Sequence, residues 1–320
     1  MYEVITIGGA TQDIFFIDED FPVKNDALSI EWGEKFLVRK CLITFGGGAA
    51  NCAVGLSRLG IKTAFWGQIG DDLPGAEIAK NFKQEKVSLQ FLEITGKVHS
   101  SVSSILVGQG GEHAIIMYRG TNDDLEIEAE ALSIELTNTK FFYLADAGST
   151  SEALTTEVLK LVKFHNVRLA FVPGQNQLKL GINKLAPILQ ETDLFVLNVY
   201  EAYELLDLKY QKTELNTCAT IEEDVKKALK KFYDLGAKKV IITRDVCGSQ
   251  AYDGKTFYSE PSPAILEYID TTGAGDAFAT GALAALLRGH GLATALKWGN
   301  LESASVIGVY GAQPGLLSNI

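Results

Sequence analysis

The residues best suited to chemistry form the run Asp270-Thr271-Thr272-Gly273-Ala274-Gly275-Asp276, which leads directly into an apolar stretch ending near Leu287. The apolar stretch predicts a helix, and the glycines predict a tight turn at its N-terminus. Free backbone N–H groups and the positive end of the helix dipole bind anions there. A carboxylate in that turn would repel the anion, unless it takes the proton of a hydroxyl that attacks a bound phosphate. The run therefore predicts phosphoryl transfer to an alcohol. The simpler alternative is a tight turn in which the acidic side chain only interacts favourably with the N-terminal end of the helix dipole.

Two further features suit the binding of a polyhydroxy compound. The run Gly46-Gly47-Gly48-Ala49-Ala50-Asn51 leads into helix-like sequence, and its glycines allow a ligand to approach the backbone closely. The Asn51 amide can donate to one hydroxyl and accept from another. Asp13 follows the first predicted strand by a few residues, and ligands of open α/β sheets bind at the carboxyl ends of strands. A flexible turn and a turn-stabilising aspartate are the alternatives without a ligand.

Short apolar runs alternate with helix-like segments along the chain. This pattern predicts a mostly parallel sheet with helices on both faces, which is a three-layer α/β/α domain. We see no linker or repeat that divides residues 1–320. Two β-rich segments, at about 14–43 and 98–120, interrupt the alternation and predict a small β lid, or else hairpins at the edge of the main sheet. The six predicted strands are Tyr2–Ile7, Thr63–Trp66, Lys140–Leu144, Arg168–Val172, Leu194–Leu197 and Lys239–Thr243. The predicted helices include Ala50–Leu59, Pro74–Glu85, Ser151–His165, Gln177–Gln190, Ile221–Leu235, Gly275–Arg288 and Leu292–Tyr310.

The composition excludes several classes of protein. A net charge of −11 argues against an extended nucleic-acid interface, which needs a basic surface. We find no apolar run long enough to cross a membrane and no signal peptide, so we expect a cytoplasmic protein without membrane partners. The scattered cysteines and histidines predict neither a zinc site nor a disulfide framework. They are Cys41, Cys52, Cys218, Cys247, His99, His113, His165 and His290.

Both glycine-rich runs resemble signatures of one family. The D-T-T-G-A-G-D run resembles the C-terminal signature of ribokinase-like (PfkB) sugar and nucleoside kinases, and the run from Gly46 to Ala53 resembles their N-terminal signature. The resemblance extends from Gly8 to Gly315. It implies an ATP-dependent kinase with Asp276 as the general base. The backbone N–H groups that stabilise the transferred phosphoryl group would be those of Gly273, Ala274, Gly275 and Asp276. The acceptor-binding residues would be Asp13, Gly46, Gly47, Gly48 and Asn51.

The resemblance also implies a set of nucleotide-binding residues. Asn198 and Glu201 match the family's N-x-x-E element, which organises Mg²⁺ through water, although a helix cap is the common alternative. Thr243 and Gly248 lie in a segment beside the nucleotide, where Asp245 replaces the family's first glycine. Arg244 either contacts phosphate or is solvated. Asn300 matches a position near the adenine.

The C-terminal run Tyr310-Gly311-Ala312-Gln313-Pro314-Gly315 resembles the segment that binds a monovalent cation, such as K⁺, in ribokinases. Gly315 replaces a serine found in some relatives, and an ordinary C-terminal turn is the alternative. The implied cation ligands are Asp270, Thr272, Val306, Val309 and Gly311.

The sequence does not determine which compound is phosphorylated or whether the protein forms an oligomer. A nucleoside kinase is the first alternative to a sugar kinase, since Phe171–Asn176 resembles a P-G-Q run of some nucleoside kinases, whereas Gly110–His113 and Tyr118–Asn122 favour a sugar. An idle sugar sensor conflicts with the intact Asp276. A Rossmann dehydrogenase is disfavoured because the first turn is not G-x-G-x-x-G. A homodimer through the lid is possible, as in many relatives.

Overall fold

The structure is a computed structural model that describes residues 2–24, 27–109, 112–125, 136, 139–146, 148–208, 218–264 and 267–320. Of the stretch 110–113, which favoured a sugar kinase, Gly110 and Gly111 lie outside the described residues. Parts of both predicted lid segments also do so.

Short β-prone runs form the strands. In chain order they are β1 (Val4–Ile7), β2 (Thr11–Ile17), β3 (Val23–Lys24), β4 (Ala27–Leu28), β5 (Lys40–Gly46), β6 (Thr63–Gly70), β7 (Ser88–Thr95), β8 (Ser101–Val107), β9 (His113–Tyr118), β10 (Phe141–Leu144), β11 (Arg168–Phe171), β12 (Thr192–Asn198), β13 (Val240–Thr243), β14 (Ser249–Tyr252) and β15 (Phe257–Glu260).

The helices lie close to their predicted positions, with one exception. The predicted single helix Gln177–Gln190 is wrong, because Gly181 adopts a left-handed conformation with φ of 79° and separates two shorter helices. The helices are α1 (Gly48–Arg58), α2 (Leu73–Gln84), α3 (Ser151–His165), α4 (Gln175–Leu178), α5 (Ile182–Leu189), α6 (Val199–Leu205), α7 (Cys218–Asp234), α8 (Ala274–Leu287) and α9 (Leu292–Ile307).

The main sheet is mostly parallel, as predicted. Within the described residues it has nine strands in the order β15-β14-β13-β12-β11-β10-β1-β6-β7, and only β14 and β15 run antiparallel to their neighbours. Side chains of a strand alternate between its two faces. Ile5 and Ile7 therefore enter one hydrophobic core, with side chains of α3 and α7, while Val4 enters the other core with side chains of α1 and α8. The three-layer α/β/α fold class is confirmed.

A small four-stranded sheet stands beside the main body, in the order β5-β2-β8-β9. Strands β2 and β8 pair in parallel, and the other two pairs are antiparallel. The register aligns Thr44, Asp13, Ser103 and Met117 in one row across the sheet. Asp13 therefore follows β1 by a few residues, as predicted, and lies within strand β2 of this sheet, so the alternative of a turn-stabilising aspartate is wrong.

One disulfide joins Cys218, at the start of α7, to Cys247, in the loop after β13. The bond links residues separated by 29 positions, and closing such a loop lowers the entropy of the unfolded chain by an equivalent of about 3.6 kcal/mol. The sequence argument against a disulfide framework did not anticipate this bond, because cysteine spacing does not report distances in the folded chain.

The helices of the described residues are also informative about membranes. Among them, none is both long enough and apolar enough to span a lipid bilayer.

Candidate active site

Two cavities meet at the N-terminus of α8. One, of about 230 Å³, includes Thr272, Gly273 and Asp276 in its wall. The other, of about 430 Å³, includes Thr271, Ala274 and Gly275. The turn before α8 thus separates a smaller cavity from a larger one. We call them the acceptor cavity and the nucleotide cavity.

The acceptor cavity contains all the residues predicted to bind the acceptor. Strands of the small sheet form one side of it, and the loop between β5 and α1 forms another. The predicted residues in its wall are Asp13, Gly46, Gly47, Gly48 and Asn51. Ser103, Ile105, Ile115 and Met117, from β8 and β9, line it as well. The small sheet therefore covers this cavity on one side.

The run of three glycines at the start of α1 brings backbone close to the carboxylates of Asp13 and Asp276 in the acceptor cavity. Gly47 has φ of 97°, and a Cβ there would collide with the carbonyl oxygen of Gly9. A Cβ at Gly46 would collide with the Asp13 carboxylate. At Gly48 it would lie 3.2 Å from Asp276 Oδ1. The glycine run is therefore explained by close approach and not by flexibility alone.

Asp13 is 5% exposed. Burial is the main reason that the pKa of its carboxyl is raised to about 7; the Ser103 hydroxyl lowers this pKa, and the negative charge of Asp270 raises it. The charged form of Asp13 is thus poorly stabilised by the protein itself. A bound pair of hydroxyl groups would supply the missing donors.

Asp276 lies in the first turn of α8, and its Oδ2 accepts a hydrogen bond of 2.8 Å from Asn51 Nδ2. Burial raises the pKa of this carboxyl, the Asn51 hydrogen bond lowers it, and the charge of Asp146 raises it. A raised pKa makes a carboxylate a better proton acceptor.

The backbone N–H groups of the turn differ from the expectation at one residue. Gly273 has the left-handed φ of 77°, where a Cβ would collide with Ala312. Ala274 N–H donates to the Thr271 carbonyl at 3.2 Å, so it is the one of the four predicted N–H groups that already has an acceptor. Within the described part of the chain, the N–H groups of Gly273, Gly275 and Asp276 have no acceptor. Three N–H groups rather than four are available to an anion.

The nucleotide cavity contains most of the residues predicted to bind the nucleotide. Those in its wall are Asn198, Thr243, Gly248 and Asn300, together with Gly275. Open space lies where a Gly275 side chain would point, so a ligand can approach the backbone there. The Asn300 amide donates to the carbonyl oxygens of Glu260 and Pro261, at 3.3 and 3.1 Å, and so fixes the cavity wall to the end of β15.

Asn198 and Glu201 form a capping box at the start of α6. Asn198 Oδ1 accepts from Glu201 N at 2.9 Å, and Glu201 Oε2 accepts from Asn198 N at 2.7 Å. Glu201 is not in the cavity wall, although Asn198 is. Burial raises the pKa of the Glu201 carboxyl, and the negative charges of Asp276 and Glu204 raise it further. A hydrated Mg²⁺ near Asn198 would relieve this repulsion.

The structure explains the departure at Asp245 and corrects both interpretations of Arg244. Asp245 keeps a glycine-like φ of 48°, and its carboxylate accepts from Tyr200 Oη at 2.9 Å. Arg244 is 5% exposed and does not line the nucleotide cavity. Its Nη2 donates to the Cys247 carbonyl at 2.8 Å. Arg244 therefore supports the loop, and is neither solvated nor in a position to contact phosphate.

Asp270 connects the anion-binding turn to the C-terminal loop. Its Oδ1 accepts from Thr272 N and Oγ1, at 2.9 and 2.7 Å, and its Oδ2 accepts from Gly311 N at 2.9 Å. Val309 N donates to the Val306 carbonyl at 3.2 Å. Among the described residues, no group of three or more His, Cys, Asp or Glu side chains could hold a metal ion. A cation in this loop would therefore depend mainly on carbonyl oxygens.

Arg119, Asn122 and Asp146 also line the acceptor cavity, although sequence reasoning named none of them as a site residue and only singled out the stretch Tyr118–Asn122 as typical of sugar kinases. Arg119 Nη2 donates to Asp146 Oδ2 at 2.6 Å, and its Nε donates to Asp123 Oδ1 at 2.9 Å. Asn122 Oδ1 accepts from Ala10 N at 3.1 Å, which holds the β1–β2 connection. Asp146 follows β10 at the carboxyl edge of the sheet. That position alone could have identified it.

The geometry suits the transfer of a phosphoryl group from a ligand in the larger cavity to a hydroxyl compound in the smaller one. A carboxylate with a raised pKa faces the smaller cavity, and unpaired N–H groups lie at the boundary between the cavities. A hydroxyl compound in the smaller cavity could lose a proton to Asp276 while its oxygen attacks a phosphoryl group from the larger cavity.

Comparison with known proteins agrees with this geometry. The model of the pfkB family carbohydrate kinases matches residues 6–319. A protein of Archaeoglobus fulgidus named as an uncharacterized sugar kinase is 29% identical over 267 residues, covering 82% of this chain and 98% of that protein. The structure of Arabidopsis thaliana ribokinase complexed with ribose and ATP has a TM-score of 0.79 at 21% identity, covering 99% and 96% of the two chains. A nucleoside kinase of Methanocaldococcus jannaschii has a TM-score of 0.74 at 22% identity, covering 98% and 95%.

Proposed function

Since this chain belongs to the pfkB family of carbohydrate kinases, we propose that it transfers the γ-phosphoryl group of ATP to a hydroxyl of a small sugar. Its family makes it a phosphotransferase with an alcohol acceptor. The observation that carries this proposal is the meeting of the two cavities at the turn before α8. Asp276 faces the acceptor side, and Gly275 faces the nucleotide side.

Asp276 is the general base in this proposal. Its carboxylate takes the proton of the acceptor hydroxyl as the oxygen attacks, and Asn51 holds the carboxylate from the other side. The unpaired N–H groups of Gly273, Gly275 and Asp276 stabilise negative charge on the transferring phosphoryl group. Because these groups are fixed by the turn before the reaction begins, they need no reorganisation during it.

The acceptor is held by Asp13, by Asn51 and by the glycine run. The ionised Asp13 carboxylate accepts hydrogen bonds from two hydroxyl groups, and bonds of this charged kind are stronger than neutral ones. Ile105, Ile115 and Met117 of the small sheet line the cavity, and their apolar side chains would exclude water once an acceptor is bound. Exclusion of water limits the wasteful hydrolysis of ATP.

Two cations belong to the proposal. Bound Mg²⁺ would neutralise phosphate charge, and Asn198 and Glu201 would hold it through water. A monovalent cation such as K⁺ would bind Asp270, Thr272 and the carbonyl oxygens of Val306, Val309 and Gly311. Asp270 already connects Thr272 to Gly311, so the cation would reinforce a connection that the protein makes itself.

The size of the acceptor cavity favours a sugar over a nucleoside. Its volume of about 230 Å³ is roughly half that of the nucleotide cavity and lies below the usual range for larger ligands. A nucleoside kinase is the alternative, in line with one of the similar structures.

A panel of monosaccharides and nucleosides, assayed by ATP-coupled ADP release with and without Mg²⁺, tests the proposal. We expect at least one monosaccharide to exceed every nucleoside in kcat/KM by about tenfold or more. A preference for nucleosides would replace the proposal by its alternative. Sugar binding without any turnover would indicate a sensor, and Asp276→Asn protein provides the background rate.

We also propose that two copies pair through the outer face of the small sheet. One row of that face contains Ile43, Ile14, Ser104 and Ile116, and Ile43 and Ile116 are 61% and 67% exposed. Exposed apolar sheet surfaces favour association. Sedimentation should show a dimer for the native chain and a monomer for Ile116→Lys. A native monomer at micromolar concentration would contradict the pairing.

The cytoplasmic location stays a prediction.

A further inference from the structure

A chain of three amide side chains leads away from Asp276 into the protein. Asn51 Nδ2 donates to Asp276 Oδ2 at 2.8 Å, Gln313 Nε2 donates to Asn51 Oδ1 at 3.2 Å, and Asn81 Nδ2 donates to Gln313 Oε1 at 2.8 Å. Asn51 and Gln313 are 3% and 4% exposed. The proposed function assigns no role to Gln313 or to Asn81.

The chain of hydrogen bonds has only one direction. A primary amide has an oxygen that only accepts and a nitrogen that only donates. If Asn51 were rotated by half a turn, its oxygen would face the Asp276 carboxylate and its nitrogen would face the Gln313 nitrogen. Both contacts would then be repulsive. Gln313 itself cannot rotate without losing the donor of Asn81. The orientation of Asn51 therefore depends on Gln313.

Arg58 holds the backbone at Gln313 and just after it. Arg58 Nη1 donates to the carbonyl oxygens of Gln313 and Leu316, at 2.8 and 2.9 Å. The same guanidinium pairs with Glu85, at 2.7 Å. This places the Gln313 amide at a fixed distance from Asn51, as positioning of a side chain requires.

We propose that Gln313 is a positioning residue that orients the Asn51 amide so that its N–H group holds Asp276 as an ionised carboxylate, ready to accept a proton. The inference rests on the proposed role of Asp276 as general base. Burial and Asp146 raise the pKa of Asp276, and the Asn51 hydrogen bond is the contact that lowers it. Among the described residues, the other titratable groups that interact electrostatically with Asp276 are Glu201, Cys52 and Tyr143, and none of them is positively charged. Loss of the orientation would therefore leave burial and negative charge, which favour the neutral acid.

The test is the pH dependence of kcat in Gln313→Met, which keeps a similar side-chain length without nitrogen or oxygen atoms. The rates are measured with saturating acceptor and ATP, so that the titration of Asp13 in acceptor binding does not contribute to the profile. Because the base works when deprotonated, a higher pKa moves the acid limb of the profile to higher pH. We expect a shift of about one pH unit, hence about tenfold lower activity on that limb, with recovery at alkaline pH and an unchanged KM for ATP. Gln313→Glu should shift the limb further, since a carboxylate cannot donate to Asn51.

Asn81→Leu tests the same chain from a position farther from the site, should the Gln313 variants fold poorly. It should give a smaller shift in the same direction. Thr192→Val is the matched control, because it removes a buried hydrogen bond of 2.8 Å to the Ile188 carbonyl at the opposite end of the sheet. It should lower thermal stability without moving the acid limb.

An unmoved limb in the Gln313 variants, with activity equal to the native value or lowered equally at every pH, would overturn the inference. Failure of the proposed function is distinguishable from this result. If Asp276→Asn retains turnover, Asp276 is not the base. If Asp276→Asn is inactive while Gln313→Met keeps the native profile, only the role of Gln313 is wrong.

Discussion

Asp276→Asn is expected to lower kcat by about 10²- to 10⁴-fold, which is the range that general-base catalysis contributes. The amide cannot take a proton, yet it has the shape of the carboxylate, and its oxygen can still accept from Asn51 Nδ2. The KM values for ATP and for the acceptor should therefore change little. Steady-state kinetics with saturating ATP measures the effect, and near-normal turnover would contradict the base assignment.

Thermal stability provides the control for this variant. The pKa of Asp276 in the folded protein is raised above its value in the unfolded chain, so the ionised carboxylate disfavours the folded state. This loss of folding stability is absent at pH values below the pKa of Asp276 in the unfolded chain. It is complete once the pH exceeds the pKa of Asp276 in the folded protein. Asp276→Asn removes this loss, so at pH 8 it should be at least as stable as the native protein. A variant that is both inactive and destabilised would not separate catalysis from folding.

Asp13→Ala is expected to raise the KM for the acceptor by about 10²-fold while leaving the KM for ATP within about twofold. Two hydrogen bonds from hydroxyl groups to a carboxylate contribute roughly 3 kcal/mol together, which corresponds to that factor. Asp13 lines the acceptor cavity and is absent from the wall of the nucleotide cavity. An equal loss of affinity for both substrates would remove Asp13 from the acceptor site.

The pH dependence of acceptor binding gives a second measurement on Asp13. Its pKa in the free protein is raised to about 7, so the carboxyl becomes neutral as the pH falls below that value. Since the neutral acid has fewer acceptor sites, acceptor affinity should fall as the pH decreases from 8 to 6. Asp13→Asn should bind more weakly at pH 8 and should lose this dependence. Calorimetric titration at several pH values distinguishes the two proteins.

The position of Asp276 was predicted from a short segment, because every part of that prediction is local. The glycines, the apolar helix and the acid at its first turn are adjacent in sequence, and their chemistry follows from backbone N–H groups and a dipole. The same holds for the parallel sheet, whose buried strands appear as apolar runs. Strand β7 was missed, however, and so was strand β2, which contains Asp13 and follows β1 after a short connection.

The hydrogen-bond partners of Arg244 and of Ala274 N–H could not be predicted from the sequence, for one reason. Whether a donor is free depends on which acceptors the folded chain brings to it, and the Cys247 and Thr271 carbonyls are supplied by turns. The disulfide between Cys218 and Cys247 likewise depends on the approach of α7 to the loop after β13. Composition and spacing contain no information on these distances.

The sequence by itself determined the α/β class, the two glycine-rich turns and the chemistry that a carboxylate at a helix N-terminus can perform. Only the tertiary structure decided which distant groups act together. Asn51 and Gln313 are 262 positions apart in the chain, yet their amides are in contact beside Asp276. Local propensity and periodicity act over a few residues, whereas a hydrogen bond between α1 and the C-terminal loop exists only after the core has packed and fixed both segments.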